Sequence, residues 1–225
     1  MVTSFLQVII WPLVVLLIAF YLRKPIKKFI GEVNEINLKA GPAEILAKSK
    51  KEEIAASLGA ATTQVQDSDP DVKQPPTTES TRDIVKLVNQ TVTPQTIQNL
   101  AGVSILWVDD KPSNNTFIRH ALETLGIRFT ICISTDDAIK ELKSSSFDAI
   151  ISDMSRPPDF HAGFTLLEKL KQMKINIPFI IYARGGNKPQ FKEEALNKGA
   201  YDSASGPQGL YKTIVNLFDK SNKSN

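Results

Sequence analysis

At 225 residues the chain has room for one or two domains, and 42% of its residues are apolar, enough to build a core. A net charge of +3, from 27 basic and 24 acidic residues spread along the whole length, gives no argument for nucleic acid as a partner. The single cysteine, Cys132, excludes an intramolecular disulfide and a cysteine-built zinc site, and its setting in Ile131-Cys132-Ile133 predicts a buried, inert thiol.

From Val2 to Leu22 the chain is almost wholly apolar, with Gln7 its one strongly polar interior residue. A run of that length crosses a hydrocarbon core of about 30 Å, so residues 1–22 are predicted to form a single transmembrane helix. A basic start and a small-residue cleavage site, the marks of a signal peptide, are both missing from it. Trp11 and Pro12 fall mid-span, where a kink is tolerated. Arg23, Lys24, Lys27 and Lys28 follow at once, and no charged side chain precedes them. The excess of positive charge on that side predicts an N-terminus outside and the rest in the cytoplasm, at the cytoplasmic (inner) membrane. The same basic residues would lie against anionic headgroups, although topology alone accounts for them.

Residues 23–59 read as a juxtamembrane segment. Gly41-Pro42 marks a turn, and Ala43 to Leu58, rich in Ala, Glu and Lys, predicts a helix with Gly59 as its C-cap. Over residues 60–81 the composition moves to Thr, Gln, Asp, Ser and Pro, which predicts a flexible linker. Residues 82–100 then carry Ile84, Leu87, Val88, Val92, Ile97 and Leu100. Their spacing predicts a helical connector broken at Pro94, which would pack on the following domain or pair with a second copy of itself.

Residues 101–220 alternate between two patterns, with 221–225 left as a tail. Short apolar runs at Ser104–Val108, Phe129–Ile133, Ala149–Ser152 and Pro178–Tyr182, with a weaker one at Ala200–Ala204, predict buried strands. Helical patterns lie between and after them: Phe117 to Leu125, Ala138 to Leu142, Phe164 to Leu170, Phe191 to Leu196 and Leu210 to Leu217. Ser134-Thr135-Asp136-Asp137 supplies an N-cap and a capping acid to the second of these. Strict alternation predicts an α/β fold with a doubly wound parallel sheet, while the strand order stays open.

The chemistry collects at two strand ends. The first run stops at Asp109-Asp110 and the third at Asp153. The C-terminal edge of a parallel sheet is its usual binding edge, and carboxylates crowded there raise one another's pKa unless a cation sits among them. A hard, oxygen-seeking ion such as Mg²⁺ suits such a set. Val108-Asp109-Asp110, Ile150-Ile151-Ser152-Asp153, Pro157, Gly163 and Lys198-Gly199-Ala200-Tyr201-Asp202 together resemble the receiver domain of two-component response regulators, over about residues 103–218. The resemblance implies a flavodoxin-like (βα)5 sheet and a Mg²⁺ site at Asp109, Asp110 and Asp153, with the Ser155 carbonyl as a backbone ligand. It also implies Asp153 as phosphoacceptor and a histidine kinase or an effector protein as partner.

Two positions depart from the family pattern. Receivers carry a Ser or Thr at the end of the fourth strand, where this chain has Tyr182, and a Lys before a Pro after the fifth, where it has Gly206. Lys111 or Arg184 would have to lean in to replace the lysine. The loop Met154–Gly163 is longer than the family's, and its Arg156 and His161 read first as solvated residues. The alternatives are an anion site at Arg156 and an acid/base group at His161. His120 reads as a surface residue, and Arg184-Gly185-Gly186-Asn187 as a plain turn before an anion cradle. No P-loop, nucleophile elbow or histidine pair at ligand spacing occurs, which argues against an enzyme. The expectation is therefore a membrane-anchored interaction module on an atypical receiver. A phosphorylation-dependent regulator using Asp153 comes second, and an effector acting on a nucleotide or phosphorylated ligand third.

Overall fold

A computed structural model of the chain describes residues 21–24, 41–67 and 78–219. The chain divides into two compact units, Met1–Leu46 and Ala47–Asn225, and the architecture below is that of the second. All but the last two residues of the predicted membrane span lie outside the described residues, as do the basic run beyond Lys24 and the tail at 221–225. Among the described residues no helix is long and apolar enough to cross a membrane.

The elements follow in strict order. Helices α1 (Pro42–Asp67), α2 (Thr78–Thr91) and α3 (Pro94–Leu100) precede β1 (Ser104–Val108). A 3-10 turn (Pro112–Asn115) leads into α4 (Thr116–Glu123), followed by β2 (Arg128–Cys132) and α5 (Thr135–Ser144). Then come β3 (Ala149–Asp153), α6 (Ala162–Gln172), β4 (Phe179–Tyr182), α7 (Pro189–Asn197), β5 (Asp202–Ala204) and α8 (Gly206–Phe218). The strands form one parallel sheet of order β2-β1-β3-β4-β5, the flavodoxin-like arrangement that the resemblance implied. The fifth strand is shorter than the apolar run Ala200–Ala204 suggested. Tyr201 already bonds through its N–H to the Phe179 carbonyl, but its side chain is exposed.

Alternation along the strands divides the apolar side chains between two cores, because successive residues point to opposite faces. Ile105, Trp107, Ile151 and Ile180 join Ile118, Leu122, Tyr211 and Ile214 of α4 and α8 on one face. On the other, Leu106, Val108, Ile150 and Ile181 meet Ala138, Leu166, Leu170 and Ala195 of α5, α6 and α7. Cys132 is buried in this second core, and burial, with Glu141 and Asp137 nearby, pushes its thiol up to about 11. At neutral pH it is a thiol and not a nucleophile, as its apolar setting predicted.

The segment before β1 departs from expectation. Helix α1 does not stop at Gly59 but runs on to Asp67, through the first eight residues of the predicted linker. Propensity alone would not carry a helix across Gly59 and the Thr pair that follows. The tertiary contact does: Ile54, Leu58 and Ala61 recur at helical spacing, are fully or almost fully buried, and belong to the first core. Thr62 and Thr63 turn their hydroxyls back onto the Leu58 and Gly59 carbonyls, at 2.8 and 3.2 Å. Part of the predicted juxtamembrane and linker sequence is thus structural support for the α/β domain. The connector does break at Pro94, which takes the first turn of α3 while Thr93 caps it by accepting from the Thr96 N–H at 3.0 Å. Of the two readings left open for the connector, the structure displays packing on the domain: Ile84, Val88, Val92 and Leu100 are buried in the first core.

If α1 is held by this contact, Leu58→Ala should cost about 2–5 kcal/mol of unfolding free energy. Leu46→Ala, at a position 52% exposed, should stay within about 0.5 kcal/mol. Urea denaturation followed by far-UV circular dichroism measures both.

Candidate acidic site at the sheet edge

Parallel pairing of β1 with β3 sets Val108 beside Ser152, and pairing of β3 with β4 sets Asp153 beside Tyr182. The residues at these strand ends therefore share one edge of the sheet. Asp109, Asp110 and Asp153 each bring a carboxylate oxygen to a common point, with the three atoms within 4.8 Å of one another. Asp109 is buried, and its two oxygens accept from the Lys111 N–H at 2.8 Å and the Asn115 side-chain amide at 2.5 Å. The cluster opens into a cavity of about 440 Å³ that Lys111, Tyr182, Arg184 and Gly206 also line.

Burial, and after it the neighbouring Asp109 charge, pushes the Asp153 carboxyl up to about 6. The Ser155 and Met154 N–H groups and the Arg156 guanidinium pull the other way. A set of oxygen donors carrying uncompensated negative charge fits a hard divalent cation, so the residues present suit Mg²⁺. Asp109, Asp110 and Asp153 would hold it, and it would neutralise the approach of an anion to this edge. Ser155 lies on the cavity wall.

Tyr182 and Gly206 occupy the same cavity. Tyr182 is half-buried and packs edge-on against Trp107, with ring centroids 6.0 Å apart and planes at 90°. Burial together with the Asp109 and Asp153 charges raises its phenol well above the ordinary range, so it stays neutral. Its ring fills space that a Ser or Thr would leave open. Gly206 begins α8 with φ +68°, a backbone conformation that favours glycine over lysine. Gly186, in the loop after β4, stands against β5 so closely that a Cβ there would meet the Ala204 carbonyl oxygen at 2.4 Å. That fixes the loop of Arg184 against the strand-five end, where the Gly185 N–H also donates to Ser205 Oγ at 3.2 Å.

Arg156 overturns its reading as a solvated loop residue. Only 5% exposed, it turns inward beneath the carboxylates. One terminal nitrogen donates to Ser152 Oγ at 2.7 Å and the Asp153 carbonyl at 2.6 Å, the other to Thr135 Oγ1 and the Ala162 carbonyl, both at 3.0 Å. A planar fork with fixed donors can join β3, the start of α5 and the start of α6 in this way, and a lysine cannot. No local sequence signal marks this, since the acceptors that draw the guanidinium inward come from Thr135 and Ala162 as well as from its own strand end. On the loop's outer side Asp159 accepts from the His161 N–H at 2.8 Å and Thr165 Oγ1 at 2.7 Å, tying the loop to α6. His161 itself is exposed. His120 is exposed on α4, where Nε2 lies 3.1 Å from a Glu53 carboxylate oxygen.

An open, doubly wound α/β domain with an acidic cluster where β1 and β3 end defines the class: a flavodoxin-like domain carrying a cation-type site at its switch edge. Residues 105–210 match the family model described as the response regulator receiver domain. Among solved structures it is similar to the receiver domain of a Francisella response regulator, at 26% identity over 53% of this chain and 99% of that one, with a TM-score of 0.46. The chemotaxis response regulator CheY4 of Vibrio cholerae is 23% identical over 52% of this chain and 99% of its own, with a TM-score of 0.46. A CheY-like receiver domain protein of Methanospirillum hungatei is 22% identical over 56% and 100%, with a TM-score of 0.45. No curated protein matches the chain.

A carboxyl whose folded pKa is raised favours the folded state when protonated. With chelator present, stability should therefore be highest below about pH 4 with respect to this group and fall as pH rises towards about 6. Asp153→Asn should flatten that part of the pH profile and raise the melting temperature at pH 7, read by differential scanning calorimetry. Arg156→Met and Arg156→Lys should each lower the unfolding free energy by about 2–5 kcal/mol, since buried carbonyls and hydroxyls lose their donors. His161→Ala should change it by less than about 0.5 kcal/mol in the same urea titration.

Proposed function

We propose that the protein is a membrane-anchored signalling module whose receiver domain binds Mg²⁺ at Asp109, Asp110 and Asp153 and acts by contact with a protein partner. The observation that carries this reading is the composition of the cavity. The three carboxylates converge within 4.8 Å, but Tyr182 and Gly206 stand where a short hydroxyl and a lysine would bond a phosphoryl group. Each missing charge-assisted bond removes about 1.5–3 kcal/mol from a phosphorylated state, so the cation site survives while the reading of a phosphate is weakened. Lys111 and Arg184 are on the wall of the cavity, which keeps a second reading in play: phosphorylation of Asp153 in a two-component relay, with one of these cations in the lysine's place. Arg156 offers no support to the third reading, a nucleotide or phosphate-ligand effector, because its donors are spent on the protein itself.

The anchor rests on the apolar run Val2–Leu22 and the basic residues that follow it. It puts the receiver at the cytoplasmic face of the inner membrane, within reach of a histidine kinase or an effector. Removing residues 1–22 should move the protein from the membrane pellet to the soluble fraction.

The decisive measurement uses the full chain in detergent micelles with Mg²⁺ and a small acyl phosphate. Calorimetry should show Mg²⁺ binding that Asp109→Asn abolishes, and intact mass should show no stable phosphate adduct. One acid-stable, base-labile phosphate that disappears in Asp153→Asn would establish the second reading in its place.

A further inference from the structure

Helix α1 lies wholly outside the matched receiver segment, yet its last turns form part of the acidic cavity. Gln64 and Val65 line it alongside Asp109, Asp153 and Tyr182. The Gln64 side-chain amide donates to the Ser113 carbonyl at 3.1 Å, in the middle of the 3-10 turn Pro112–Asn115. The residue before that turn and the last residue in it hold the Asp109 carboxylate, through the Lys111 N–H on one oxygen and the Asn115 amide on the other. Gln64 is therefore tied to the Asp109 carboxylate by one hydrogen bond onto the turn, the backbone of the turn itself, and two hydrogen bonds from its flanks. Further back, Lys50 donates to the Thr124 carbonyl and Glu53 faces His120, so the same helix also grips both ends of α4's second half. Ile54, Leu58 and Ala61 keep it seated against the first core.

We propose that Gln64 is a positioning residue of the cation site, and that α1 thereby senses whether the site is occupied. The proposal rests on the reading of the cavity as a Mg²⁺ site. Its physical basis is reciprocity. If lifting α1 frees the Ser113 turn, Asp109 loses its fixed orientation and the opened state binds the cation less well. By linkage, the cation then favours the seated helix by the same factor. The signal would leave the pocket along α1, toward the N-terminal half of the chain. This route needs neither of the two side chains that Tyr182 and Gly206 replace.

The test is hydrogen exchange with mass spectrometry on the full chain in micelles, with and without Mg²⁺, alongside calorimetric Mg²⁺ titration. In the unsubstituted protein, amides of residues 54–67 should gain protection on adding Mg²⁺, together with those of β1 and β3. Gln64→Met keeps length and helix propensity but removes the donor. It should weaken Mg²⁺ binding about two- to tenfold, the worth of one net hydrogen bond. It should also abolish the gain across residues 54–67 while leaving the gain across β1 and β3. Thr63→Ala, whose hydroxyl bonds only within α1, should behave as the unsubstituted protein. If Mg²⁺ binds but residues 54–67 show unchanged or reduced protection, the proposal fails while the cation reading stands. If no Mg²⁺ binds to the unsubstituted protein, both fall. Because the exchange comparison in the unsubstituted chain decides by itself, a poorly folding variant would not leave the matter open.

Discussion

Parallel pairing of β1 with β3 is the constraint on which the site depends. With Val108 in register with Ser152, the next residue on each strand is an aspartate, and the two leave the sheet side by side. Asp110 follows on the first strand, so three negative charges converge within one hydrogen-bonded neighbourhood. Burial, and after it the Asp109 charge, then pushes the Asp153 carboxyl up to about 6. The surroundings of the site answer this charge. Backbone N–H groups point at Asp153 from the loop, Asn115 and the Lys111 N–H hold Asp109, and the Arg156 guanidinium lies beneath.

Arg156 links the charge problem to the architecture. Its fork reaches from the end of β3 to the starts of α5 and α6, so the loop between β3 and α6 is fastened from within. A buried cation with satisfied donors is costly to remove and weak evidence of stabilisation over an apolar alternative. What it provides here is placement of the loop that carries Ser155 and of the strand end that carries Asp153. The side where Tyr182 and Gly206 stand presents an aromatic wall and a backbone turn.

The helices before β1 give this domain a larger first core than its five helices and sheet would make alone. Ile54, Leu58, Val88 and Leu100 are buried with Trp107, Leu122 and Tyr211. Thr91 and Tyr211 add a hydroxyl contact of 3.2 Å between α2 and α8. The face formed by α4 and α8 is thereby covered by the chain's own N-terminal helices.

The sequence by itself determined the alternation of strands and helices, the break at Pro94, the buried state of Cys132 and the carboxylates at two strand ends. Each of these depends on local periodicity, on proline geometry or on where an apolar run stops. Strand order came only through a resemblance, because periodicity says which residues face a core and nothing about which strand lies beside which. The length of α1 and the inward turn of Arg156 were decided by tertiary structure. Gly59 and the polar residues after it favour an end to the helix, and only burial of Ile54, Leu58 and Ala61 against the domain carries it further. An arginine in a polar loop reads as solvated until the surrounding carbonyls and hydroxyls are placed around it. Gln64 shows the same limit: one amide in a polar stretch, drawn to the acidic cavity by contacts 49 residues away in sequence.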